Sequence, residues 1–439
     1  MYNKVWLIIY TILFVLVSNC VCFLNGNYWY LFLTSFIALI LNIFIGSFDR
    51  KIPSRRLRLL NHGTGCLFVF YVNFVVSIIW HIVLGILTLE DKPSVFIISL
   101  IVTIVSQLVL FVNGILFVYF TSLQLGIKKR IKGILLGCIP FANLVFLVSI
   151  ITCCKDEVFF ETEKYYLDIA RKQDQICATK YPILLVHGVF FRDFKYLNYW
   201  GRIPEELIEN GATIYYGEHS SAASVEYSAN EITKRIIDIV NSTGCGKVNI
   251  IAHSKGGLDV REALQKGALP YVASLTTINS PHRGCNFADY LLSKAPENVK
   301  NTVSSAYNAA AAKLGDKNPD FIAAVSDLTA SFCGDFDQSH PVPEGLFCQS
   351  VGTVMKKSSG GQFPLNFSSK LVNYFDGEND GLVAFDSFKF GEKYTFLRPS
   401  YKRGISHGDV IDLNRENIKG FDVREFYVQL VADLKNRGL

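Results

Sequence analysis

The sequence predicts an α-helical membrane domain of about five spans followed by a doubly wound α/β domain with a mostly parallel sheet. Three observations carry that expectation. Residues 1–155 hold 12 Lys or Arg and 3 Asp or Glu, a local charge of +9, whereas the rest holds 31 and 35, a charge of −4. Four uncharged stretches, 5–48, 59–89, 93–127 and 133–154, fill most of the first third. Beyond residue 180, apolar strand-like runs appear at YPILLV (181–186) and VNII (248–251). The second is followed at once by a helix stripe of Leu258, Val260, Ala263 and Leu264.

A spanning helix needs about 20 apolar residues. The first uncharged stretch is long enough for two such helices, separated at Asn25 to Asn27, and each of the other three supplies one. Basic residues sit at Lys4, at Arg50 to Arg58 and at Lys128 to Lys132, all on one side of a five-span chain. With that side cytoplasmic, an odd count places the C-terminal part outside the cytoplasm, as a multi-pass protein of the plasma membrane. Asn42, Asn73, His81, Gln107, Asn113 and Asn143 fall within the spans, where helix–helix hydrogen bonds are their expected role. The overall charge of +5 describes neither half of the chain, and no nucleic-acid partner is expected.

The expected division is therefore a membrane domain over 1–155, a charged juxtamembrane helix over 156–179, and one α/β domain over 180–439. Its focus is KVNIIAHSKGGLD (247–259), where a strand meets a helix at Ser254. A serine held on so sharp a turn needs small neighbours, and Ala252 and Gly256 supply them in an A-x-S-x-G string. Downstream, Asp380 in ENDGLV is the candidate acid, with Asp376, Glu378 and Asp386 as nearby competitors. His407 in GISHGD is the candidate base, with His340 in SHPVPEG as competitor. A histidine oriented by a carboxylate can take the proton of a serine nucleophile and pass it to a leaving alcohol.

The stretches YPILLVHG, NIIAHSKGG, NSPHRG, NDGLV and SHGD, in this order, resemble the bacterial triacylglycerol lipases of the α/β-hydrolase fold over about 180–439. That resemblance implies a triad of Ser254, Asp380 and His407. It also implies an oxyanion site made by the backbone N–H groups of Val189 and Lys255, with His187 shaping the loop. It implies a helical lid around 284–333, where Phe287, Leu291, Leu292, Leu314, Phe321, Ile322 and Val325 recur at helical spacing. Several such lipases hold a structural calcium near the catalytic histidine, and Asp409 matches one carboxylate of that site. The plain reading of Asp409 is a helix-start carboxylate.

The reading is thus a membrane-anchored serine carboxylic-ester hydrolase, a lipase that cleaves lipid esters through an acyl-enzyme and requires no cofactor. An acyltransferase or phospholipase would use the same triad, and an inactive membrane-bound binding domain would use none of it. Of the eleven cysteines, five lie beyond residue 155, and Cys333 with Cys348 could close a short loop.

Overall fold

The computed structural model of the chain describes residues 4–20, 28–44, 49–137, 139, 141–189, 198–313, 316, 318–362, 364–398, 401 and 403–439. The chain divides into two compact units, Met1–Ala170 and Arg171–Leu439.

The first unit is helical: α1 (Lys4–Asn19), α2 (Tyr28–Phe44), α3 (Arg55–Thr88), α4 (Pro93–Thr121), α5 (Gly126–Gly137) and α6 (Ala142–Arg171). Among the described helices, α3 (34 residues) and α4 (29 residues) are long and apolar enough to cross a membrane, and α1 is a shorter apolar helix. The two helices expected from the first uncharged stretch are both present; Asn25 to Asn27, where they were expected to part, lie outside the described residues. The fourth uncharged stretch, expected to form the fifth span, departs from expectation. Its residues 133–137 close α5, Phe141 adopts a positive φ of 63°, and α6 then runs unbroken past Asp156 to Arg171. One helix therefore contains both the end of the expected span and most of the expected juxtamembrane segment.

Small residues bring α3 and α4 together: a Cβ on Gly63 would lie 2.7 Å from Cβ of Phe117, and one on Gly114 would lie 2.9 Å from Leu67. Asn73 accepts hydrogen bonds from Ser18 (3.2 Å), Asn19 (3.3 Å) and Ser77 (3.2 Å), and Asn113 donates to Asn42 (2.5 Å). Apart from the Ser77 bond, which lies within α3, these are the helix–helix bonds expected of polar groups in an apolar bundle.

The second unit runs β1 (Ile183–Val186), α7 (Ile203–Glu209), β2 (Ile214–Tyr216), α8 (Val225–Thr243), β3 (Val248–His253), α9 (Gly256–Ala263) and β4 (Val272–Ile278). It continues through α10 (Asn286–Lys294), α11 (Glu297–Lys313), α12 (Phe321–Ser326), α13 (Ala330–Ser339), β5 (Phe347–Thr353), α14 (Leu365–Asp376), β6 (Lys393–Leu397) and α15 (Val423–Asn436). The strands form one sheet in the order β2-β1-β3-β4-β5-β6, and every pairing is parallel.

The strand sequences explain the double winding. Every residue of β1, β3 and β4 is buried, as central parallel strands require. Along β1 the side chains alternate: Ile183 and Leu185 pack with Leu207 of α7 and Tyr427 and Val431 of α15, while Leu184 and Val186 pack with Ile232 and Ile236 of α8. Helices thus cover both faces. The order reverses at β1, which has β2 on one side and β3 on the other, and ligands bind beyond the carboxyl ends of strands at such a switch point. The segments after β1 and β3 are His187-Gly188-Val189 and Ser254-Lys255.

Candidate active site

Strand β3 ends at His253 and α9 begins at Gly256, so Ser254 and Lys255 alone make the turn. Ser254 has φ 56°, a left-handed conformation rare for a side chain with a Cβ. Its N–H donates to the carbonyl of Ile278 (2.9 Å), which fixes the turn to β4. The turn also needs bare neighbours: a Cβ on Gly188 would lie 2.7 Å from Cβ of Ser254, and one on Gly256 would press on the carbonyls of Val186 and His187. Ala252, one methyl larger than the glycine usual at its position, packs its side chain into the core under α8 and α9.

The candidate acid and base meet. His407 Nδ1 lies 2.6 Å from Asp380 Oδ2, and the His407 backbone N–H donates to the Asp380 carbonyl (2.8 Å). Asp380 is fully buried, and its Oδ1 accepts from the backbone N–H groups of Leu382 (3.0 Å) and Val383 (2.8 Å). Asn279 Nδ2 donates to Asp380 Oδ2 (2.7 Å). Four donors, counting the histidine, thus converge on one carboxylate. With Nδ1–H held there, a neutral His407 ring presents its lone pair at Nε2. His253, next to Ser254 in sequence, sets its ring 4.5 Å from that of His407, centroid to centroid, tilted by 50°. Burial, and secondarily the charge of His407, pushes the His253 imidazole well below its usual range.

The competitors are engaged elsewhere. His340 Nε2 meets Glu262 at 2.5 Å, and its ring stacks on Phe336. Asp376 accepts from the backbone N–H groups of Asn286 (2.9 Å) and Phe287 (3.1 Å) at the start of α10. Glu378 pairs with Arg398, and the backbone carbonyl of Asp386 holds Arg283 (3.0 Å).

Val189 and Lys255 follow β1 and Ser254, and neither backbone N–H donates a hydrogen bond among the described residues. The Lys255 side chain is buried and binds Asp259 (2.5 Å) and Ser228 (3.2 Å). Burial pushes the Asp259 carboxyl up to about 7, with Lys255 opposing the shift. His187 bonds the carbonyls of Gly188 (2.8 Å) and His219 (3.2 Å), consistent with a loop-shaping role.

Asp409 does not fit a calcium ligand. Arg403 donates to its Oδ1 (2.9 Å) and the Ser406 N–H to its Oδ2 (2.9 Å), so a guanidinium stands against the carboxylate where a cation would be needed. No group of three or more His, Cys, Asp or Glu suited to a metal occurs among the described residues. Nor does Asp409 cap the terminal helix; it opens a short turn, Asp409–Ile411, and the N-cap of α15 is Asp422. Cys333 and Cys348 are free thiols, like every other described cysteine; Cys22 and Cys138 lie outside the described residues.

Sequence reasoning missed two supporting groups. Asn279, at φ 47°, grips Asp380 and also Thr353 (2.7 Å). Tyr199 bonds His253 Nδ1 (2.6 Å) and accepts from the Gly188 N–H (3.1 Å), which ties the loop after β1 to the strand bearing the serine. Asn279 stands at the head of NSPHRG, a motif quoted without a chemical role; nothing in the sequence singled out Tyr199.

A curated triacylglycerol lipase from Pseudarthrobacter phenanthrenivorans is 32% identical over 181 residues, 38% of this chain and 56% of that protein. The chain spans about half the length of that relative. One from Vibrio cholerae is 28% identical over 296 residues, 62% of this chain and 92% of that protein. The C-terminal part of this chain is homologous to triacylglycerol lipases. No protein-family model matches the chain. Among solved structures, the mature lipase BlEst2 of Bacillus licheniformis is 24% identical, covers 58% of this chain and 92% of its own, and superposes with a TM-score of 0.43.

In the lipase-like part, α10, α11 and α12 occupy the region of the expected lid; Leu314, in the expected apolar stripe, lies outside the described residues. Helix α10 rests Phe287 and Tyr290 on Phe375 of α14, with ring centroids 5.8 and 4.8 Å apart. Its Asp289 accepts from the Ala330 N–H (2.6 Å) at the start of α13.

Proposed function

We propose that this chain is a membrane-anchored serine hydrolase of lipid esters, with Ser254 as nucleophile, His407 as general base and acid, and Asp380 as the group that orients and charges the histidine. The observation that carries the reading is the His407–Asp380 pair, whose histidine ring lies 4.5 Å from that of His253, the neighbour of a serine held at φ 56° between a buried strand and a helix. His407 Nε2 takes the Ser254 proton as Oγ attacks the ester carbonyl. The Val189 and Lys255 N–H groups, having no other acceptor among the described residues, bind the oxyanion. The alcohol leaves with the proton from His407. Water then enters by the same route and releases the acid, so no cofactor is needed.

Lipid esters are the preferred substrate class because the relatives bear the name triacylglycerol lipase and because α3 and α4 are long and apolar enough to hold the chain in a membrane. Helices α10 to α12 would serve as a lid that admits the acyl chain when it opens. The charge pattern supports the basic loops facing the cytoplasm at the plasma membrane.

The test is hydrolysis of esters of increasing acyl length by the detergent-solubilised full chain and by Ser254→Ala. Activity should rise with acyl length and fall by at least about 10⁴ in the variant. A folded protein with no activity in either form would overturn the reading in favour of a binding role. Adding an alcohol acceptor separates hydrolysis from acyl transfer, which would appear as a new ester product.

A further inference from the structure

The helical unit contains a cleft of about 860 Å³ between α3, α4, α5 and α6, walled by Phe74, Phe111, Phe120, Leu147 and Ile150. One cation reaches it. Arg130 lines the cleft, its Nη2 donates to the Ser122 carbonyl (2.5 Å), and its buried Nε has no hydrogen-bond partner among the described residues. Among the described residues, no carboxylate pairs with this guanidinium. Glu157, which shares the Ser122 neighbourhood, is taken up by Arg56 (2.5 Å), the Ser122 hydroxyl (2.6 Å) and the N–H groups of Leu123 and Gln124. The sequence has no Asp or Glu between Pro93 and Lys155, while Lys128, Lys129, Arg130 and Lys132 all lie on α5, with Lys128 and Lys132 exposed. An apolar cleft ending at an uncompensated guanidinium is complementary to an amphiphile with an anionic head.

We propose that this cleft holds an anionic phospholipid, with acyl chain between the helices and phosphate at Arg130, the exposed lysines of α5 selecting against a cationic headgroup. A fatty acid would satisfy Arg130 but ends at its carboxylate, whereas a phospholipid headgroup extends beyond the phosphate toward the exposed lysines, which favours the phospholipid. The inference rests on the membrane reading of α3 and α4, and carbonate extraction of the membrane fraction tests that reading separately.

The experiment is native mass spectrometry of the full-length Ser254→Ala chain, so that no probe is turned over, titrated with dioleoyl phosphatidylglycerol, dioleoyl phosphatidylcholine or oleate. Phosphatidylglycerol should bind about tenfold tighter than phosphatidylcholine. Arg130→Gln should weaken both phospholipids, and the double variant Lys128→Gln, Lys132→Gln should remove that preference. Gly137→Phe should weaken both phospholipids, since Gly137 lines the cleft and a Cβ there meets nothing within 4 Å. Each variant is compared with its parent by gel filtration and thermal melting, and Gly137→Phe keeps the test decisive if Arg130→Gln fails to fold. Equal binding of the two phospholipids, or a preference that survives loss of both lysines, would overturn the proposal. Oleate binding as tightly as phosphatidylglycerol would overturn the phospholipid as occupant.

Discussion

At the residue scale, the site depends on groups that hold other groups. Asp380→Asn keeps the shape but offers His407 an amide, so kcat should fall by about 10⁴ with little loss of stability. Asn279→Ala should act more mildly, because Leu382, Val383 and His407 still bind the carboxylate. A loss of about tenfold in kcat with KM unchanged would fit that role. Arg403 ties the loop of His407 together by binding Asp409, Glu416 (2.9 Å) and the Gly360 carbonyl (2.8 Å). Burial raises the Asp409 carboxyl above its usual range, with Arg403 opposing the rise, so removing the guanidinium leaves a buried acid poorly matched. Arg403→Ala should cost about 1–3 kcal/mol of stability, whereas a chelator should leave hydrolysis by the parent chain unchanged. Inhibition by chelation that added calcium reverses would contradict this.

At the element scale, the lid region is fastened by its ends. Asp376, from the last turn of α14, caps the start of α10, and Asp289 of α10 holds the start of α13. Asp376→Ala removes a helix cap worth about 1 kcal/mol and should loosen α10. The expected readout is a change in KM for long-chain esters with short soluble esters unaffected; equal effects on both would place α10 in the rigid scaffold. Much of this organisation was legible in the sequence. The strands at 181–186 and 248–251 were visible because central parallel strands are apolar without interruption, and the turn at Ser254 because its crowding admits only small residues at 252 and 256. Asp380 and His407 were legible as types in order, yet only folding could choose them over Asp376 and His340, since that choice is made by contacts between segments far apart. The apolar helices of the first unit were legible as uncharged runs, but the break before α6 was not, because no charge interrupts residues 133–154. Asp409 was misread because its partner, Arg403, lies in its own loop rather than in a helix terminus.

At the scale of the whole molecule, two buried histidines tie stability to pH. Burial pushes both His253 and His282 well below the usual imidazole range, helped by the charge of His407 at the first and of Arg261 at the second. Unfolding restores each to about 6.5. Below that pH the unfolded chain binds more protons than the folded one, so stability falls on acidification by up to roughly 1.4 kcal/mol per pH unit for each histidine. Above it, these two groups contribute no slope. Thermal melting of the solubilised chain at about pH 5 and about pH 7.5 should show the loss, and His282→Gln should reduce the difference. A midpoint indifferent to pH would refute the assignment. The all-parallel sheet has a consequence for synthesis. Each neighbouring strand must return over a crossover, as Ser274 of β4 does to reach Phe347 of β5, and no hairpin can form early as a local seed. One face of the sheet is sealed by Tyr427, Val428, Val431 and Leu434 of α15, so a ribosome must pass Leu434 before that core can close. The nascent α/β unit is therefore the slow and aggregation-prone part of this protein's birth, and its yield should respond to chaperones and growth temperature more than to the short-range pairing of α3 with α4.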